Sequence, residues 1–484
     1  MKYYLLSSLS LAIFVSCNAL ATENTEDSNK LSPKTINKTS FNSNSKFNYP
    51  NISGQLKRKL ETTNKNIAIK ISIKLSDNLI NSDDTNFENE AKAVLNNAGI
   101  QYSNFNMVGT SPLFTIEITY EDIIKLSNSS KDIYIEEVSL NTGNLSKKNR
   151  GYRTSFTQSD YNGHTRFKDL TGKGITVAVI DSGVANVPQL PNVSHYCFSK
   201  HIDQKGEPSN CPQNYPNEGG SARTIDGKQD THGTHVAGII AAKPLKGGAP
   251  AGMAYNANIV NLRSLHKNGN GSTFDTIEAL NKITSDIPDV DIVNMSLGSS
   301  SYASENCDGM LSGHLADYKK AIDNLAKKGV KIVVASGNDY QKGYVGFPSC
   351  LQNVISVGAV YPTSGTDDYT NETYNSGNVT DYTNLSKHVT VLAPGHNIES
   401  TNANYDEADP NSLKLKISGT SMAAPYVSAC IARMLERNPK LSTTEIKDIF
   451  KYSVKQGSKK NDYDISRPML NCDDALLLTP SSRT

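Results

Sequence analysis

The chain has 484 residues, 49 basic and 48 acidic, for a formal charge of +1 at neutral pH. That balance argues against a nucleic-acid binder, which carries a basic excess or a basic stripe. The length suits two or three domains at roughly 150 residues each, enough to bury a core without disulfide stapling. Only 4 of the 33 glycines fall in residues 1–150 and 29 in 151–484, which divides the chain into two regions of different construction.

The first residues read as a targeting peptide: Lys2, an apolar run from Leu5 to Val15, and Ala19-Leu20-Ala21 as a small-x-small cleavage signal. Residues 1–21 are therefore expected to be removed on secretion. A membrane anchor needs about 18 to 20 apolar residues, and this run is shorter and broken by Ser7, Ser8 and Ser10. The mature chain is expected outside the membrane, in an extracellular or periplasmic space. Loss of Cys17 leaves six cysteines, an even number in an oxidising compartment. Nearest-neighbour pairing suggests Cys197 with Cys211 and Cys307 with Cys350. Cys430 lies in an apolar small-residue stretch and reads as a packed thiol, with pairing to Cys472 left open.

Residues 22–65, rich in Asn, Ser, Thr and Lys, read as a disordered or loosely held leader. Ile67, Ile69, Ile71, Ile73 and Leu75 then alternate with Ala or polar residues, the period of a strand with one buried face. Asp83, Asp84 and Thr85 offer helix caps ahead of Phe87, Ala91, Val94 and Leu95, and Gly99 can end that helix. A weaker strand near Phe105–Val108, a strand at Leu113–Thr119, a short helix at Glu121–Leu126 and a strand at Ile133–Val138 follow. The order is βαββαβ, a small α+β ferredoxin-like domain spanning 66–145. The polar segment from Leu140 to Arg153, with Lys147, Lys148 and Arg150, reads as a linker and a site for proteolysis.

Beyond it, apolar runs at 174–180, 257–262, 290–295, 330–335 and 353–357 alternate with helical stretches. Such runs suit strands buried on both faces, so residues 146–484 are expected to form an α/β domain with a mostly parallel sheet flanked by helices. Ligands of such sheets bind beyond the carboxyl ends of the strands. Asp181 stands at the end of the first run. His232 opens His-Gly-Thr-His-Val-Ala-Gly, Asn338 follows the strand ending at Ala335, and Ser421 lies in Ser418-Gly-Thr-Ser-Met-Ala-Ala-Pro425. Taken singly, Asp181 and Asn338 read first as turn or cap residues, and Ser421 reads as readily as a helix N-cap. The spacing of His232 and His235 does not suit a His-Glu-x-x-His zinc site.

Together, in this order, these segments resemble the subtilisin-like serine peptidases over roughly 151–477: Asp181-Ser-Gly is similar to the family's aspartate motif, and the segments around His232 and Ser421 to its histidine and serine motifs. The resemblance implies acyl transfer, with Ser421 as nucleophile, His232 as general base, Asp181 as its orienting partner, and Asn338 with the Ser421 backbone N–H as oxyanion donors. It implies that Ser296-Leu297-Gly298 and Gly269-Asn270-Gly271 grip an extended substrate as an added strand. It places Ala335, Ser336 and Gly337 along the pocket for the residue before the scissile bond. Asp339, just after Asn338, reads first as a solvated acid and otherwise as a group that favours a basic or polar residue there, and Thr273 stands where many relatives carry an aromatic. By pattern, the βαββαβ domain resembles the family's propeptide, an intramolecular chaperone and inhibitor, so the chain is expected to be a zymogen cut within about residues 140–150. Departures are Thr231 for a glycine, Tyr426 for a histidine, and Ala429-Cys430 for Gly-Ala; none removes a catalytic atom. The chemistry requires no cofactor, and Ca²⁺, which relatives often bind in loops, is not readable here because no Asp-x-Asp-x-Asp-Gly run exists. The expectation is a secreted, monomeric serine endopeptidase acting on extended polypeptides. The alternative is a catalytically inactive scaffold of the same family acting as a binding protein.

Overall fold

The computed structural model describes residues 51–52, 56, 60, 68–76, 87–107, 112–137, 140–143, 167–199, 211, 224–225, 228–229, 231–266, 269–366, 373–406, 409–453 and 465–482. The expected targeting peptide, and the part of the expected cleavage window beyond residue 143, lie outside them.

The alternating isoleucines form β1 (Ala68–Leu75), in which Ile71 and Ile73 are fully buried. There follow α1 (Phe87–Asn97), β2 (Ser103–Met107), β3 (Leu113–Thr119), α2 (Tyr120–Ser129) and β4 (Ile133–Glu137). The sheet order is β2-β3-β1-β4 with every pair antiparallel, the arrangement the βαββαβ pattern predicts. α2 starts where the Thr119 hydroxyl accepts the Asp122 N–H.

This module begins earlier than residue 66. Ile52 and Leu56 are buried in its core with Leu60 packed against it, Ile52 bridges to Ile135, and Asn51 Nδ2 donates to Ser127 O and Ser130 O. The reading of 22–65 as a loose leader therefore needs correction at its end. Leu56 and Leu60, both helical, stand four residues apart, a spacing that the surrounding Asn, Ser and Lys obscured.

The larger part contributes β6 (Thr176–Asp181), β7 (Ser194–Cys197), α3 (His232–Ala241), β8 (Asn258–Arg263), β9 (Asn270–Ser272), α4 (Thr273–Asp286), β10 (Ile292–Met295), β11 (Leu297–Gly298), α5 (Gly313–Lys327) and β12 (Lys331–Ala335). It continues through β13 (Ile355–Val360), β14 (Val391–Pro394), the antiparallel pair β15 (Ile398–Thr401) and β16 (Lys414–Ile417), α6 (Thr420–Arg437), α7 (Thr443–Tyr452) and α8 (Cys472–Leu478). Seven strands form one wholly parallel sheet in the order β14-β13-β12-β10-β6-β8-β7. Successive residues of β6 divide between two cores. Val177 and Val179 pack with α3 and α6, and Ala178 and Ile180 pack with α4 and α5. Burial on both faces explains the continuous apolar runs. The two edge strands escaped the sequence reading because β7 is Ser-His-Tyr-Cys and β14 ends in Pro394, which an edge tolerates.

Disulfides join Cys197 to Cys211, Cys307 to Cys350 and Cys430 to Cys472. The third replaces the reading of Cys430 as a packed thiol: α6 and α8 bring the two Cα atoms to 5.6 Å, within bonding reach.

Lys74 Nζ lies 2.5 Å from Asp317 Oδ1 on α5, Tyr134 donates to Ser312 Oγ at 3.3 Å, and Leu113 joins the core of α4 and α5. Past β4 the chain forms β5 (Leu140–Gly143), which lies between β9 and β11 and runs antiparallel to both. Thr142 opposes Asn270 and Gly298, and Gly143 opposes Leu297. The start of the expected linker is thus a strand, because an extended backbone there satisfies N–H and C=O groups on two neighbouring edges. Among the described residues no helix is long and apolar enough to cross a membrane.

Candidate active site

β6 delivers Asp181 at its carboxyl end, fully buried, and α3 delivers His232 as its first residue, 3% exposed. His232 Nδ1 lies 2.7 Å from Asp181 Oδ1. A neutral ring donating to this carboxylate carries its proton on Nδ1, which leaves the Nε2 lone pair as the basic site. The Ser182 N–H donates to the same Oδ1 at 2.7 Å, and the Gly233 N–H donates to Ser182 Oγ at 3.1 Å. Residue 233 must be glycine for this approach: a Cβ there would stand 2.3 Å from Gly183 O and 3.1 Å from Asp181 Oδ1.

α6 begins at Thr420 after Gly419, so Ser421 is its second residue and not its N-cap. Its hydroxyl donates to Ser296 O at 3.1 Å, and Ser296 Oγ donates back to Ser421 O at 2.8 Å. The nucleophile candidate thus sits at the positive end of an 18-residue helix.

Asn338 lies in the turn after β12. Its Oδ1 accepts from Thr420 N and Thr420 Oγ1, both at 2.9 Å, which fixes the amide orientation. Its Nδ2 is buried with no hydrogen-bond partner among the described residues. A buried donor left unpaired costs about 1–3 kcal/mol, which an incoming oxygen would recover.

The residues expected to line the pocket, Ala335, Ser336 and Gly337, are buried beside this turn. The Ser336 carbonyl accepts from Gly346 N, and Gly337 has φ +107° with a would-be Cβ 2.2 Å from Asn384 Nδ2. Asn384 organises the loop: its Oδ1 accepts from Asp339 N and Gln341 N, and its Nδ2 donates to Asp339 Oδ2 at 3.1 Å. Asp339 is exposed, yet its carboxylate is engaged, and burial together with that charge pushes the Tyr302 phenol up. Both expected backbone-gripping segments meet one strand, since β9 holds Asn270 and Gly271, just after Gly269, and β11 holds Leu297 and Gly298, just after Ser296. Thr273 is buried as the first residue of α4, and Tyr426 is buried in α6.

His235 plays a different part from His232. Its Nε2 donates toward Leu415 O at 2.9 Å and Ile398 O at 3.0 Å, and its Nδ1 has no partner among the described residues. Burial drives its pKa down to about 3, so the ring is a neutral clip between α3 and the β15–β16 pair.

Sequence reasoning missed the parts played by Thr420 and Asn384. Asn384 carried no signal, because a loop Asn among polar residues is uninformative. The described residues nowhere bring three or more His, Cys, Asp or Glu side chains together in a metal-binding group.

A profile of the subtilase family of peptidases matches residues 172–466, more than half of the chain and every residue of the site just described. The chain belongs to the subtilase family. Among its subtilase relatives, the serine protease AprX of Bacillus subtilis is 32% identical over 58% of this chain and 61% of its own length. The alkaline protease of Alkalihalobacillus alcalophilus is 28% identical over 73% of this chain and 77% of its own. Subtilisin Savinase of Lederbergia lenta is 29% identical over 61% and 89%. The chain thus spans about three fifths of AprX. The crystal structure of fervidolysin from Fervidobacterium pennivorans superposes with a TM-score of 0.59 at 20% identity, covering 86% of this chain and 62% of that one, a likeness of fold.

Proposed function

We propose that this subtilase is a secreted serine endopeptidase that cuts extended polypeptides through an acyl-enzyme and is made as a self-processing zymogen. The observation that carries the reading is the combination of the 2.7 Å Asp181–His232 pair with the buried, unsatisfied Nδ2 of Asn338, whose oxygen is anchored on the turn that carries Ser421.

In this reading Ser421 Oγ attacks the scissile carbonyl and passes its proton to His232 Nε2. Asp181 holds the Nδ1–H and stabilises the imidazolium. The carbonyl oxygen, now negative, accepts from Asn338 Nδ2 and the Ser421 N–H at the helix terminus. His232 then protonates the leaving amine, and a water activated by the same ring releases the acid. The substrate lies as an added strand between β9 and β11, as β5 does. That position of β5 supports an inhibitory role for the module ahead of it, with processing C-terminal to Gly143. Extended chains are gripped by backbone, so a monomer without cofactor suffices.

Labelling with a fluorophosphonate tests the reading. One adduct on Ser421 is expected in the wild type and none in Ser421→Ala, which is also expected to stay full length where the wild type shortens. A wild type that takes no label would overturn the enzyme reading.

A further inference from the structure

A chain of four hydrogen bonds runs from inside α6 back to Ser421. Ser428 stands seven residues after Ser421, about two helical turns, and therefore on the same face. A buried serine inside a helix ordinarily returns its proton to the carbonyl four residues earlier. Here Ser428 Oγ instead donates to Asn294 Oδ1 on β10 at 2.9 Å. Asn294 Nδ2 donates to Ser296 Oγ at 3.1 Å, Ser296 Oγ donates to Ser421 O at 2.8 Å, and Ser421 Oγ donates to Ser296 O at 3.1 Å. All four side chains are fully buried.

The relay answers a defect in the helix. The carbonyl of Ser421 would normally accept from the N–H four residues later, but residue 425 is proline and has none. The Ser296 hydroxyl donates to Ser421 O in place of that missing N–H, and it has one proton to give. It keeps this proton for Ser421 only while Asn294 turns its NH₂, and not its oxygen, toward Ser296. The Ser428 proton enforces that orientation by claiming Asn294 Oδ1. Without it the amide can turn, its oxygen takes the Ser296 proton, and the first turn of α6 loses its anchor.

We propose that Asn294 and Ser428 are positioning residues for Ser421, acting through Ser296 to fix the peptide that bears the nucleophile. The inference rests on the peptidase reading above. Misplacement of a reacting group by about 1 Å costs up to 10²-fold, so Ser428→Ala and Asn294→Ala are each expected to lower kcat about tenfold per fluorophosphonate-titrated site, with KM changed less than twofold. Because both act through one amide, the double variant is expected to lose no more than the worse single one. Ser428→Thr, which keeps the hydroxyl, is expected to restore most of the rate. Where Ser428→Ala does not yield folded protein, Ser428→Cys, with a weak donor in nearly the same volume, reads the same contact. Wild-type kcat in Ser428→Ala, or losses that multiply in the double variant, overturns the relay. A wild type that takes no fluorophosphonate overturns the peptidase reading instead.

Discussion

Lowering the pH from 7 to 5 is expected to cost the fold about 2 kcal/mol through His235 alone. Protonation would place a second N–H on Nδ1, which faces no acceptor among the described residues, and would put a cation in a fully buried site beside His232. The folded pKa, about 3, therefore lies below the unfolded value of about 6.5. Between those values the unfolded chain binds a proton that the native state refuses, so stability is intact above the unfolded pKa and falls as the pH drops through it. The slope approaches about 1.4 kcal/mol per pH unit. At pH 5 the native ring remains neutral for any folded pKa well below 5, so the figure depends little on how far below. Urea unfolding of the Ser421→Ala chain, which cannot digest itself, reads the loss, and His235→Gln in that background supplies the control. Gln keeps a donor near the two carbonyls and does not titrate. The unfolding free energy of the Ser421→Ala chain is expected to fall about 2 kcal/mol further than that of its His235→Gln derivative over this interval. Parallel losses in the two proteins, within about 0.5 kcal/mol, would refute a buried neutral His235.

Asn338→Leu is expected to lower kcat by about 10² to 10³ with KM little changed, a figure that comes from removal of this type of donor in a subtilisin; steady-state kinetics with equal losses in kcat and kcat/KM support the oxyanion role, and a rise in KM alone contradicts it. Replacing both Cys430 and Cys472 by Ala opens a 42-residue loop and is expected to reduce unfolding free energy by up to about 4 kcal/mol; a loss under about 1 kcal/mol would show that packing of α8 on α6, and not the cross-link, holds the C-terminus. A substrate that continues the β5 register presents its next residue opposite Ser296, beside Ser421, since Gly143 opposes Leu297. For the chain's own segment that count gives the bond after Asn144, so mass spectrometry of the first released fragment is expected to end at Asn144, and a fragment ending before Gly143 contradicts the register.

The parallel sheet was legible because strands buried on both faces must be apolar at every position, as in Val177–Ile180 and Lys331–Ala335. The edges were not, since a strand with one partner can be polar or proline-ended. Asp181, His232, Asn338 and Ser421 were legible as candidates from three motifs and a strand end. What holds them in place did not follow. Thr420 and Asn384 act through hydrogen bonds that span 82 residues of sequence in the first case and 43 to 45 in the second, a coupling with no local periodicity. Leu56 and Leu60 show the opposite failure, in which a correct pattern was present but composition outweighed it.

In the proposed zymogen, the seat of β5 between β9 and β11 would make concentration a control variable. While the chain is continuous, that strand would compete with substrate at an effective concentration on the order of millimolar, whatever the protein concentration. Once the link is cut, its occupancy would follow the bulk amount of released module. The fraction of open clefts then rises on dilution, so the proposed peptidase would be most restrained where it is made and crowded and least restrained after it has spread.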